Sequence, residues 1–203
     1  MALNLNIPGP MAFLRYVYDI RYYIYIVILI FAVFLAAGYA VSVFSPGTTD
    51  MVKSSFEEQV EPMKDLTPLG LMWGIFFNNA SKCFLVVLFG IAFGIAPALF
   101  IIANGFIIGI VVGFAMSQWG PLYVLIGIVP HGVIELPMVF ISAAIGLKLG
   151  YETLMALVKG KKEVFGEIAK GLLMFIFYIL PLLFIAAFIE TFVTGALLML
   201  LQG

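Results

Sequence analysis

One long stretch of the sequence carries almost no charge, because Glu135 is the only charged residue between Lys82 and Lys148. A helix of about 20 apolar residues is long enough to cross the hydrocarbon core of a bilayer. Within lipid every backbone N–H and C=O group must find a partner inside the protein, so an uncharged stretch of this length is restricted to helices. The alternating segments of about ten residues that form a membrane β-barrel are not seen. The stretch therefore predicts a helical integral membrane protein.

The composition of the whole chain agrees with this interpretation. The 203 residues are 64% hydrophobic and 10% charged, whereas soluble domains are roughly 25% charged. The formal net charge of −1 excludes the basic surface of a nucleic-acid-binding protein. Cys83 is the single cysteine, which rules out an intrachain disulfide. We predict an all-α, polytopic protein of the cell membrane, with residues 1–203 in a single membrane domain.

About five transmembrane segments are expected from the apolar runs. They are residues 22–44, 83–102, 105–119, 122–147 and 171–194. Asn104 and Gly105 are the natural break between the second and third segments. Two alternatives to this assignment stay open. In one, residues 83–119 do not cross the bilayer twice. In the other, Asn104 lies within the membrane as a helix break that lines a cavity. Pro68 favours a helix start, and residues 69–81 are expected to form a short amphipathic or re-entrant helix.

Three polar segments separate or flank the apolar runs. Residues 1–21 are predicted to be an interfacial segment with a short helix after Pro10. Residues 45–70 are predicted to be a polar loop with one short helix around 50–60. Residues 148–170 are predicted to be a basic amphipathic element on the membrane surface. Of the ten basic residues, seven fall in 1–21 and 148–170. The positive-inside rule then places both segments and the N-terminus in the cytoplasm, and 45–70 outside.

The motif Pro130-His131-Gly132-Val133-Ile134-Glu135-Leu136-Pro137 lies inside the fourth apolar run. His131 and Glu135 are four residues apart, so a helix presents both on one face. Ionisable residues at this depth are costly and usually face a bundle interior or a water-filled cavity. The pair is predicted to be a proton relay, a metal-ligand pair or a substrate contact, or alternatively a buried hydrogen bond that locks a kinked helix. Pro130 and Pro137 are expected to kink or break that helix.

Uncharged polar residues in the other apolar runs need partners as well. We expect Asn78, Asn79 and Asn104 to converge with His131 and Glu135 into one buried polar cluster. Gly105, Gly109 and Gly113 are spaced four apart and form a groove for the close approach of another helix. That helix belongs either to a second copy of the chain, giving a homodimer or higher oligomer, or to the same chain.

The sequence offers few ligands for a metal ion and no pattern typical of an enzyme. His131, Glu135 and Glu190 are the metal candidates, and Cys83 is a further candidate if the fold brings it close, because zinc sites need three or four ligands. No His-Glu-x-x-His motif, nucleophile motif or phosphate-binding loop is present. We assign no catalytic residue and no firm cofactor, and keep a bound metal ion as an alternative.

Several of these motifs together resemble the integral membrane proteins grouped with stage II sporulation protein M. The resemblance covers about residues 15–195. It is carried by Phe76-Phe77-Asn78-Asn79, by Asn104-Gly105, by Pro130-His131-Gly132 with Glu135-Leu136-Pro137, by Gly146 and by Ala186-Ala187-Phe188-Ile189-Glu190. The resemblance implies a polytopic membrane protein. The family member in spore formers is a membrane platform that works with a peptidoglycan-cleaving pair and is not itself the hydrolase.

Two functions follow from these observations. The first is a non-enzymatic membrane scaffold that assembles with itself, with membrane proteins or with a cytoplasmic partner, favoured by the glycine groove. The alternative is a transporter or channel component for a small solute, a proton or a metal ion, favoured by the His131 and Glu135 pair in a kinked helix. Residues 148–170 would then dock a cytoplasmic partner such as an ATPase.

Overall fold

The computed structural model describes residues 8–45, 47, 54, 58, 61, 66–160 and 164–202, and its elements there are helical. The first four helices are α1 (Pro10–Asp19), α2 (Arg21–Phe44), α3 (Pro68–Phe89) and α4 (Ile95–Lys159). A fifth, continuous helix, here called the C-terminal helix, covers residues 164–202. It consists of α5 (Val164–Met174), a π-helical segment (Phe175–Ile179), α6 (Leu180–Phe188), a second π-helical segment (Ile189–Thr194) and α7 (Gly195–Gln202).

Four of these helices are long and apolar enough to cross a membrane: α2, α3, α4 and the C-terminal helix. Gly120, with φ 81° and ψ 176°, divides α4 into residues 95–119 and 121–159. A φ in this range suits glycine, which has no Cβ to clash with the backbone. The chain therefore contains five long apolar segments, and the predicted all-α, polytopic fold is confirmed.

The reversal between the second and third segments is not where the sequence analysis placed it. α3 continues without interruption to Phe89, so residues 69–81 are not a separate re-entrant helix. The chain turns at residues 90–94, where Phe93 and Gly94 have positive φ. The expected break at Asn104 and Gly105 was wrong, because the Asn104 amide donates a 2.8 Å hydrogen bond to the Phe100 carbonyl one turn earlier. A polar side chain satisfied within its own helix does not need to end that helix.

The two prolines of the central motif do not break α4 either. The helix continues through Pro130 and Pro137, and Gly120 is its one residue with non-helical backbone angles. Each proline removes one backbone N–H donor from the helix, while the hydrogen bonds on either side of it remain. The boundary predicted between the segments 105–119 and 122–147 falls at Gly120.

Residues 148–160 and 164–170 lie at the facing ends of two long helices. α4 extends to Lys159 and ends at Gly160, whose φ of 68° is left-handed, and α5 begins at Val164. Glu167 joins the two arms, since it is 2.5 Å from the Lys148 ammonium and 2.8 Å from that of Lys170. The helix predicted after Pro10 is α1, whereas most of the predicted helix around 50–60 lies outside the described residues.

The glycines of α4 pack directly against the backbone of α2. A Cβ atom added to Gly105 would lie 2.8 Å from the Phe31 carbonyl oxygen, and one added to Gly109 would lie 2.2 Å from that of Leu35. From the other side, a Cβ on Gly38 would lie 2.0 Å from the Phe106 carbonyl oxygen. The predicted groove is therefore occupied by a helix of the same chain, which was one of the two alternatives.

A second close contact fixes the turn at residues 90–94 against α4. A Cβ on Gly90 would lie 2.4 Å from the Gly146 Cα, and one on Gly150 would lie 2.1 Å from the Gly94 backbone nitrogen. Tyr16 of α1 lies at the same end of the bundle, with its ring centroid 5.4 Å from the Lys148 ammonium. α1, the turn and the Lys148–Glu167 pair thus share one end of the molecule, called here the hairpin end.

The packing of Gly109 can be tested by adding a single methyl group. Gly109→Ala is expected to lower the free energy of unfolding by ~1–3 kcal/mol, because overpacking forces the backbones of α2 and α4 apart. Gly127→Ala is the matched control on the same helix, since its Cβ would meet its first neighbour only at 4.0 Å. Unfolding in mixed micelles, followed by circular dichroism, provides the measurement. Equal losses for the two variants would contradict the assigned packing.

Candidate functional site

Three ionisable side chains meet where α4 crosses the C-terminal helix. His131, Glu135 and Glu190 each offer one ligand atom, and these atoms all lie within 4.8 Å of one another. All three side chains are half-buried, so the cluster is neither sealed in the core nor spread over the surface. We call this group the His-Glu-Glu cluster.

α4 supplies two members of the cluster because His131 and Glu135 are one helical turn apart. Glu135 is 13 residues from Lys148 at the hairpin end of the helix, and His131 is 17 residues from it. At a rise of 1.5 Å per residue these separations are roughly 20 and 26 Å. The hydrocarbon core of a bilayer is about 30 Å thick. With Lys148 at one membrane boundary, the cluster lies in the opposite half of the bilayer.

The C-terminal helix supplies Glu190 from its second π-helical segment (Ile189–Thr194). The same segment holds Thr194, a buried residue whose hydroxyl oxygen lies 3.4 Å from Nδ1 of His131. Among the described residues, the Thr191 hydroxyl oxygen is buried and has no hydrogen-bond partner. Single π-helical turns in α-helices frequently occur at functional sites. Here one such turn brings a carboxylate and a hydroxyl group to the histidine of another helix.

The charges of the cluster are not balanced by a close cation. The ligand atoms of Glu135 and Glu190 lie within 4.8 Å of each other, so the two carboxylates repel each other whenever both are ionised. No ion pair within 4.0 Å involves either carboxylate in the part of the chain that the structure describes. Two carboxylates in one low-dielectric site share a proton or take up a cation. The arrangement is therefore suited to holding a proton or a metal ion.

The asparagines expected in this cluster make local hydrogen bonds. Asn78 donates to the Asn79 side-chain oxygen at 3.4 Å, and Asn78 is exposed. Asn104 bonds to its own helix. Cys83, the fourth candidate metal ligand, is fully buried and its thiol interacts with Ser142 rather than joining the His-Glu-Glu cluster.

The contact of Thr194 with His131 was missed by the sequence analysis. A signal for it was present, because Glu190 and Thr194 are four residues apart, the same spacing as His131 and Glu135. Two polar pairs with this spacing in different apolar segments are suited to facing each other across two helices. Sequence alone does not show which helices are neighbours, so Glu190 could be named only as a candidate ligand.

Comparison with known proteins supports the family suggested by these motifs. The family model described as stage II sporulation protein M matches residues 27–195. The chain belongs to the stage II sporulation protein M family. All three members of the His-Glu-Glu cluster, with Thr194, fall within the matched residues.

One relative is an uncharacterized protein of Methanocaldococcus jannaschii. It is 34% identical over 122 residues, which cover 59% of this chain and 68% of the relative. No solved structure matches the chain. For this stage II sporulation protein M family member, the site must therefore be interpreted from its own residues.

The repulsion between the two carboxylates leads to a test of the site. At pH 9, without divalent cations, Glu190→Gln is expected to be more stable than the wild type. The gain is on the order of 3.5 kcal/mol before solvent screening, the Coulomb energy of two unit charges 4.8 Å apart at an effective dielectric constant of 20. The gain should diminish toward pH 5, where a proton shared by the carboxylates removes the repulsion in the wild type. Thermal unfolding in detergent across this pH range is the measurement.

The matched control is Glu152→Gln. Glu152 lies on α4 with Glu135, 17 residues further along that helix. That distance is about 25 Å along the helix, too far for a contact with the cluster. An equal change in both variants would mean that Glu135 and Glu190 do not interact.

Proposed function

We propose that the protein is a permease component of the cell membrane in which the His-Glu-Glu cluster binds the cation that crosses the bilayer. The observation that supports this most is the meeting of His131, Glu135 and Glu190 within 4.8 Å. Intramembrane ionisable groups that pair across helices are typical of ion pathways and proton relays. A proton and a metal ion are both cations that two carboxylates and an imidazole bind.

Irregular helices on both sides of the cluster support the same proposal. α4 is divided at Gly120 and contains Pro130 and Pro137, and the C-terminal helix contains two π-helical segments. Transporters commonly place their coupling-ion sites where helices depart from regular geometry, near the middle of the bilayer. A site between two irregular helices is exposed to alternate sides of the membrane when those helices move relative to each other.

Flux measurements in liposomes test this function. Liposomes that contain the purified protein are expected to pass protons or divalent metal ions faster than empty liposomes. Glu135→Gln and Glu190→Gln should each reduce the flux to that of empty liposomes, because glutamine keeps the shape but cannot carry the charge. Glu152→Gln should retain the wild-type flux. Equal flux through wild-type, variant and empty liposomes, for protons and for every divalent ion tried, would refute the function.

The orientation is part of the proposal. We place the hairpin end, and with it the N-terminus, in the cytoplasm, because seven of the ten basic residues lie in 1–21 and 148–170. The His-Glu-Glu cluster then lies in the outer half of the membrane.

Cysteine labelling in a Cys83→Ser background tests this orientation. Cysteines at Ala92, which is exposed in the turn, and at Gly160 should react only when a membrane-impermeant reagent reaches the cytoplasmic side. A cysteine at Ser54 should react from outside. The measurement is labelling of intact cells compared with inverted vesicles. Labelling of positions 54 and 160 from the same side would disprove the arrangement.

A membrane scaffold is the second candidate function, and the hairpin supports it. Leu157 and Val158 near the end of α4 are 70% and 68% exposed, and Phe165 at the start of α5 is 84% exposed. Exposed apolar groups that continue past the membrane boundary are typical of a surface that docks a partner. The glycine groove no longer supports an oligomer, since α2 occupies it.

The two candidates differ in which residues matter in the cell. If the protein is a permease, Glu190→Gln should fail to complement loss of the gene, and Leu157→Ser with Val158→Ser should leave liposome flux unchanged. If it is a scaffold, the hairpin variants should fail to complement and Glu190→Gln should succeed.

A further inference from the structure

We infer that the cation of the His-Glu-Glu cluster is a divalent transition-metal ion of the zinc class, bound by Nε2 of His131 and one carboxylate oxygen each of Glu135 and Glu190. This inference rests on the proposed function and names its substrate class. The donor set is the first argument for it. Imidazole and carboxylate ligands together suit Zn²⁺ and its first-row neighbours, whereas Ca²⁺ takes six to eight oxygen ligands.

The spacing of the ligand atoms fits such an ion. Zinc is bound at about 2.0–2.2 Å by histidine nitrogen and carboxylate oxygen, so neighbouring ligands of a tetrahedral site lie roughly 3.4 Å apart. One ring nitrogen of His131 and one carboxylate oxygen of each glutamate are at most 4.8 Å from one another. Closing the site needs movements of at most about 1.4 Å, which rotations about the glutamate side-chain bonds supply. Three protein ligands leave a fourth position open for water, as in zinc sites that exchange their ligands.

Charge balance favours a divalent ion over a proton. Two carboxylates and a neutral imidazole carry a charge of −2, which one divalent cation cancels completely. A shared proton would leave one uncompensated negative charge at a membrane depth where such charges are costly. Lys82, which attracts Glu135, is exposed and makes no close ion pair with it.

Thr194 prepares the histidine for this role. Its hydroxyl oxygen lies 3.4 Å from Nδ1 of His131. A hydrogen bond from Nδ1–H to that oxygen keeps the proton on Nδ1 and leaves the Nε2 lone pair for the ion. Metal-binding histidines generally have a second-shell partner of this kind. Thr194 is therefore a positioning residue, although it does not bind the ion.

An independent observation concerns Thr191, the chain neighbour of Glu190. The Thr191 hydroxyl oxygen is buried without a hydrogen bond within the described residues, one position from Glu190. Buried polar groups are nearly always satisfied, and an orphan indicates an additional water or ion.

Direct metal binding is the experiment. The full chain is purified in detergent without an affinity tag, stripped with a chelator and titrated with Zn²⁺ and, separately, with Co²⁺ as a spectroscopic probe. We expect one ion per chain by elemental analysis, and a cobalt absorption spectrum typical of four-coordinate nitrogen and oxygen ligation. Thr194→Val should weaken Zn²⁺ binding by about 10- to 100-fold, the usual effect of losing a second-shell partner. Glu135→Gln and Glu190→Gln should weaken it more, and Glu152→Gln should not change it.

The possible results separate this inference from the function on which it rests. Proton flux that depends on the cluster, without Zn²⁺ or Co²⁺ binding by the folded wild type, would overturn the metal assignment and leave the permease intact. Stoichiometric binding through the cluster without any flux would overturn the permease and leave the metal site. Wild-type affinity in a folded Glu135→Gln, Glu190→Gln double variant would place the ion elsewhere and refute the site. If the glutamine variants do not fold, Glu135→Asp and Glu190→Asp provide the comparison, with a weaker affinity expected for each.

Discussion

The close approach of glycine backbones is the constraint on which the rest of this structure depends. Lipid tails are as apolar as leucine, so burial of apolar surface does not drive helices together inside a membrane, and packing with backbone proximity must do so. α2 lies against Gly105 and Gly109, where a side chain of any size would collide with a carbonyl oxygen. The turn at 90–94 is held against Gly146 and Gly150 in the same way. These contacts fix α4 as the helix around which the others are arranged.

The His-Glu-Glu cluster depends on this arrangement in a specific way. α2 packs against Gly105 and Gly109, and the 90–94 turn packs against Gly146 and Gly150. The C-terminal helix contacts α4 at His131 and Ile145. The aromatic contacts of Phe184 with Trp73 and Phe76 attach α6 to α3. The His-Glu-Glu cluster lies beyond that attachment, at the π-helical segment 189–194 that follows α6 in the chain. The rigid, glycine-packed part of the molecule therefore supports a less regular part in which the ionisable groups lie.

The sequence contained enough information for the class of fold, because uncharged runs of this length allow few alternatives. It predicted the bounds of α2 to within one residue, and it placed a segment boundary at Gly120. It was wrong at Asn104, since an amide can be satisfied by its own helix. At Pro130 and Pro137 the helix is not broken, since it continues on either side of each lost donor. His131 and Glu135 were identified because i, i+4 spacing is a local property. Their meeting with Glu190 and Thr194 depends on which helices are neighbours, and that is decided by glycine contacts far away in the sequence.

The second π-helical segment also has a consequence for how this family tolerates changes in length. A π-helical turn holds one more residue than the surrounding α-helix needs, so it absorbs an insertion without shifting the chain on either side. Deletion of one residue there would restore regular α-helix locally and leave the helices on either side in place. Glu190 and Thr194 both lie in this segment, so the deletion would change how the two side chains are placed relative to each other and to His131. Relatives that lack this extra residue would form the same bundle of helices with a different set of side chains at its polar centre.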